Sequence, residues 1–136
     1  MVVLRRFGWL ALAVALLCGC AQGPSLVGRW KGTFNGFPAT VEFKPDDTFT
    51  AHTAMKRGGL EAQGDFNGTY ELQGEKLTVT QKAVDIKGLA EPLETMAKGY
   101  VEKENNRPHT GKVTFKTNDE VEIANDEGVY TLRRQR

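Results

Sequence analysis

Cys18 and Cys20 are the only thiols in this 136-residue chain, one residue apart. A thiolate is a strong nucleophile and a soft metal ligand, so such a pair can be acylated or can bind zinc. Zinc wants four ligands, and no later Cys completes a set. The histidines His52 and His109 stand far apart, and a metal site there would have to recruit carboxylates. The acidic pairs Asp46-Asp47, Asp119-Glu120 and Asp126-Glu127 lack the spaced pattern of a calcium loop and read as turn residues. Ser25 is the sole serine and sits in no nucleophile elbow, and Gly58-Gly59 is not followed by the Lys and Ser/Thr of a phosphate loop. No catalytic residue, metal site or cofactor can be nominated, and the expectation is a protein that is not an enzyme.

The setting of the two thiols says more. Arg5 and Arg6 form a positive stretch, Phe7 to Leu17 an apolar run of roughly ten residues, and small residues precede Cys20, in the order of an export signal. The run is too short to span hydrocarbon, which takes about 20 apolar residues. Leu17-Cys18-Gly19-Cys20 resembles the bacterial lipoprotein lipobox. That resemblance implies cleavage before Cys20, diacylglyceryl transfer to its thiol and acylation, with palmitate for example, of the new amino group. The expected organisation is a signal peptide over 1–19, a lipidated tether over 20–25 and a folded domain over 26–136. Ala21 stands where Asp would favour inner-membrane retention, so the resemblance implies the periplasmic face of the outer membrane in a two-membrane cell.

Of the 18 basic residues, Arg5 and Arg6 leave with the signal, so 16 remain against 17 acids, a net charge of −1. A near-neutral domain has no electrostatic case for nucleic acid. About 115 residues suffice for one domain that folds on its own core.

The domain alternates apolar and polar residues with the period of a half-buried strand. Leu26 to Phe34 is strand-like, Asn35-Gly36 reads as a hairpin turn, and Val41 and Phe43 alternate with Glu42 and Lys44 up to the turn Pro45-Asp46-Asp47. Phe49, Ala51, Thr53 and Met55 then alternate with Thr50 and His52. After a loop at Lys56 to Gly59, Phe66, Gly68, Tyr70 and Leu72 form one strand and Leu77 and Val79 the next. Short polar connections predict antiparallel neighbours. After Ile86 the spacing turns helical: Leu89, Leu93, Met96, Ala97, Tyr100 and Val101 make one apolar stripe over about 89–105. This stripe is expected to lie against the sheet or over an open end. Alternation resumes through Val113 and Phe115, Val121 and Ile123, then Tyr130 and Leu132. The fold class is mainly β: an antiparallel up-and-down barrel or strongly curved sheet of about eight strands, with the helix inserted before the last strands.

Four groups of residues in this pattern stand out: Leu26-Val27-Gly28-Arg29-Trp30, Glu42 to Phe49 around the first polar turn, Gly68 to Leu72, and Glu75 to Thr80. In these the chain resembles small lipocalin-like lipoproteins of bacteria, relatives of the calycin barrels. The resemblance implies that Gly28 and Trp30 belong to a Gly-x-Trp element closing one barrel end, with Arg133 or Arg134 from the last strand packed across the indole. Relative to typical lipocalins the chain is short, and its helix precedes the final strands.

The aromatic residues Phe43, Phe49, Phe66, Tyr70 and Phe115 can fill the interior as core or line a cavity. Two functional expectations follow. A hollow barrel would bind a small apolar or amphipathic ligand at the envelope membrane. A solid one would act as a structural lipoprotein, docking an envelope protein through its surface or through the helix near Met96 and Tyr100.

Overall fold

Eight strands of period-two residues close on themselves in the computed structural model, which describes residues 24–34 and 36–136. The signal segment, Cys18, Cys20 and the first part of the tether lie outside the described residues, as does Asn35. In chain order the elements are β1 (Gly28–Phe34), β2 (Phe37–Phe43), β3 (Thr48–Arg57), β4 (Leu60–Gln73), β5 (Lys76–Lys87), α1 (Glu91–Glu102), β6 (Pro108–Thr117), β7 (Glu120–Asn125) and β8 (Gly128–Arg134). Each strand pairs antiparallel with the next, and β8 returns to β1 through Trp30 opposite Arg134 and Lys31 opposite Arg133. The expected mainly β, up-and-down barrel with one helix before the last strands is the observed fold. Closure pairs every strand on both sides, and among the described residues the part of β5 beyond Thr80 is left unpaired on its β6 side.

Lys56 to Gly59, read as a loop, is half strand and half turn. β3 runs on to Arg57, and Gly58 and Gly59 alone make the turn, both at positive φ (59° and 81°) where residues with a Cβ are strained. β4 and β5 are correspondingly long, and their pairing slips by one residue near Gly68, a β-bulge that bends the wall. Gly68 fits there because a Cβ would stand 2.0 Å from the Thr80 carbonyl oxygen and 2.8 Å from the Phe49 ring.

The two ends of the barrel differ. One is sealed by a single cluster that includes Leu26, Trp30, Phe43, Tyr70, Val113, Val121 and Leu132. Trp30 is fully buried, and its indole N–H donates to the Leu26 carbonyl at 2.7 Å, so its one polar atom is satisfied. The Tyr70 hydroxyl donates to the Lys44 carbonyl at 2.8 Å, tying β4 to the β2–β3 turn. Among the described residues the core cluster draws on Leu26 and on the strands alone, so the barrel packs on itself.

α1 sits at the opposite end. β5 and β6 pair only from Lys76–Lys112 to Thr80–Pro108, and beyond that point the helix and its following turn lie beside β5. The Gln81 amide donates to the Val101 carbonyl (3.3 Å) and to Asn105 Oδ1 (2.7 Å), while Asn106 N–H returns to the Gln81 carbonyl at 2.7 Å. The expected burial of the whole helical stripe is not observed. The helix touches one strand, so Ala97 and Val101 are half-buried, whereas Met96 is 72% and Tyr100 76% exposed.

Candidate ligand cavity

The interior above the sealed end is hollow. Four inward positions around this space are held by small residues, Ala39 on β2, Ala51 on β3, Gly64 on β4 and Gly111 on β6, among larger ones such as Phe66 and Ile86, so the interior is not filled by its own side chains. The result is an apolar cavity of about 540 Å³ open at the end away from Trp30. An eight-stranded barrel is just wide enough either to be filled by its own side chains or to leave room for one small molecule, and this one keeps a cavity.

Phe43, Phe49 and Leu132 form the floor, and Phe66, Val79 and Ile86 belong to the wall. The rim carries Phe34 and Tyr130, stacked with ring centroids 4.8 Å apart, and Val101 from α1. One side of the rim is polar, with Gln81, His109, Thr110, Asn125 and Glu127. The Tyr130 hydroxyl donates weakly to Glu127 Oε2 at 3.4 Å. Partial burial, and then the neighbouring Glu127 carboxylate, hold the Tyr130 phenol above its ordinary range. His109 Nε2 stands 3.2 Å from Glu104 Oε2. The site therefore offers a long apolar surface with polar groups at one end, a form suited to an amphipathic molecule lying along the axis.

Of the aromatic residues singled out in the sequence, Phe43, Phe49 and Phe66 line this cavity. Tyr70 and Phe115 do not. Tyr70 packs edge-on below Phe43, 4.9 Å between centroids, with its hydroxyl held by Lys44, and Phe115 packs against the core cluster. Sequence reasoning missed the polar rim and the aliphatic wall. The one available signal was the run of small residues at inward positions, which alternation alone counts as ordinary strand.

The two candidate arginines separate cleanly. Leu132 points inward, so Arg133 points out, where it pairs with Glu120 at 3.6 Å. Arg134 lies across the indole of Trp30, its guanidinium carbon 4.2 Å from the ring centroid. Its N–H groups donate to the carbonyls of Val27 (2.8 Å), Ser25 (2.7 Å) and Asn118 (3.1 Å). One side chain thus joins the chain before β1, the β6–β7 turn and β8.

His52 is on the outer wall, with Nδ1 2.7 Å from Asp65 Oδ1, beside a shallow groove that also includes the Arg29–Glu42 pair at 3.5 Å. His52 and Asp65 thus satisfy each other by a hydrogen bond, and Arg29 and Glu42 by an ion pair. Among the described residues no group of three or more His, Cys, Asp or Glu side chains could hold a metal ion.

A closed eight-stranded antiparallel barrel, sealed at one end by Gly28-x-Trp30 under a C-terminal arginine and hollow at the other, is a lipocalin-like barrel. Solved structures share this fold. A lipocalin-like protein from Bacteroides uniformis superposes with a TM-score of 0.51 at 18% identity, covering 81% of this chain and 98% of that one. An uncharacterized protein from Bacteroides eggerthii gives 0.51 at 17% identity, covering 82% and 100%. No protein-family model matches the chain, and no curated protein is similar to it in sequence.

Proposed function

We propose that this protein is a lipid-anchored binding module of the bacterial cell envelope, whose barrel carries a small apolar or amphipathic ligand. The observation that supports the binding half is the open, apolar cavity of about 540 Å³, within the range that ligand pockets occupy. The anchoring half rests on Leu17-Cys18-Gly19-Cys20 after the short apolar run. The rim groups are placed to orient a ligand; no reaction is assigned to them.

Native mass spectrometry of residues 21–136, after incubation with an envelope lipid extract, is expected to show a one-to-one adduct that competes with an apolar dye such as N-phenylnaphthylamine. A domain that takes up neither lipid nor dye refutes the binding role. For the anchor, Cys20→Ser is expected to leave the signal uncut and to block labelling by radioactive palmitate, and normal labelling of that variant refutes it.

A second reading is favoured by the exposed side chains Leu93, Met96 and Tyr100 on α1: the helix docks an envelope protein. In-cell photocrosslinking from position 96 tests it, and the absence of any protein adduct counts against it.

A further inference from the structure

Resting on the reading of the barrel as a ligand carrier, we propose that the cavity selects an amphipathic molecule with a cationic head, accepts an uncharged one less well, and disfavours the carboxylate of a free fatty acid. Such a carboxylate would need a cation at the rim, and among the described residues no Lys or Arg lines the cavity. Among the described residues the one Asp, Glu, Lys or Arg side chain that does is Glu127. Its carboxylate is in no ion pair among the described residues, and its sole side-chain hydrogen bond there is the long one from Tyr130.

Arg57 and Lys103, which are in no ion pair among the described residues, do not line the cavity, and the other cations around this end are turned to partners. Lys56 pairs with Glu61 at 2.9 Å, Lys87 with Asp85 at 3.2 Å, Lys98 with Glu94 at 2.9 Å and Arg107 with Glu104 at 3.7 Å. Lys82 reaches Asn106 at 3.1 Å. His109, on the same rim, is turned to Glu104 at 3.2 Å. Thr110 and the Asn125 amide can hydrogen-bond an uncharged head but bring no net charge. An apolar chain lying on Phe49 and Phe66 with its head at the rim meets one uncompensated negative charge, at the edge of a low-dielectric wall that strengthens its field.

The test compares three probes that share a tail and differ in the head: dodecylamine, dodecanol and laurate. Each is added below its micelle threshold, at neutral pH and low salt, to residues 21–136 loaded with N-phenylnaphthylamine. Dodecylamine is expected to displace the dye at about one tenth the concentration that laurate needs, with dodecanol between them, and the ratio should shrink as salt is raised. Glu127→Gln should bring amine and carboxylate close together, and Glu127→Lys should reverse their order. Both variants change an exposed turn residue. Laurate binding as tightly as dodecylamine, or an unchanged ratio in Glu127→Gln, overturns the proposal while leaving a carrier in place. Failure of the dye and all three probes to bind removes the carrier reading and this inference with it.

Discussion

Arg133 and Arg134 are neighbours of the same type on opposite faces of β8, which makes them a controlled pair. Arg134→Ala removes a cation over a buried indole, a contact of about 0.5 to 2 kcal/mol. It also removes three hydrogen bonds from a charged donor, each worth roughly 1.5 kcal/mol or more before water replaces it. The carbonyls of Ser25, Val27 and Asn118 lie at the barrel's edge, where water can reach them after truncation, so these contributions do not add in full. A net loss of about 3 kcal/mol is expected, or about 10 to 15 °C in melting temperature for a domain of this size. Arg133→Ala breaks one exposed ion pair with Glu120, and such pairs contribute within about 0.5 kcal/mol. Arg134→Lys keeps the charge but lacks the planar fork, and should recover less than half of the loss. Urea unfolding of the four proteins decides the matter, with the slope m unchanged if only the native contacts are altered. Equal losses for the two alanine variants, or a loss below about 1 kcal/mol for Arg134→Ala, would refute the role given to this side chain.

Gly68→Ala pushes a methyl against the Thr80 carbonyl at the β4 bulge, and a cost of about 2 to 3 kcal/mol is expected in the same assay; a neutral effect would mean that the bulge yields. Ala51→Phe places a ring in the cavity and should abolish dye binding while lowering the melting temperature by less than a few degrees, as read by fluorescence titration and thermal scan. The Tyr70 phenol is raised above 10.0 by burial first and by Asp47 and Asp46 next. The unfolded chain therefore ionises before the folded one. Stability from this group is fully present at neutral pH and falls as pH rises past about 10 through the higher folded value; Tyr70→Phe should lack that part of the alkaline decline.

Eight strands and a helix were legible because period-two alternation and turn residues act locally. Val41 and Phe43 against Glu42, or Tyr130 and Leu132 against Thr131, declare their faces without help from the rest of the chain. The same parity distinguishes Arg134 from Arg133 once Leu132 is known to point inward. What was not legible depended on distances across the barrel. Gln81 to Lys87 breaks alternation at the bulge opposite Asn67 and Gly68, so the full length of β5 was hidden. The stripe from Leu93 to Val101 has the spacing of a buried helix face, yet only a single strand is there to cover it. Whether Phe43, Phe49 and Phe66 meet other side chains or empty space is decided jointly by Ala39, Ala51, Gly64 and Gly111 across β2, β3, β4 and β6, and no local pattern reports that.

The plug that Trp30 and Arg134 form stands where the polypeptide enters β1, and the hollow opens at the far side. The chain therefore enters the barrel at its stoppered base, and the mouth lies at the other end of the strands. Leu60, Leu93, Met96, Tyr100 and Val129, all exposed, belong to the elements of that distal end. On the proposed reading of a tethered carrier, cargo would be exchanged on the side away from the tether, like a cup standing upright on its foot.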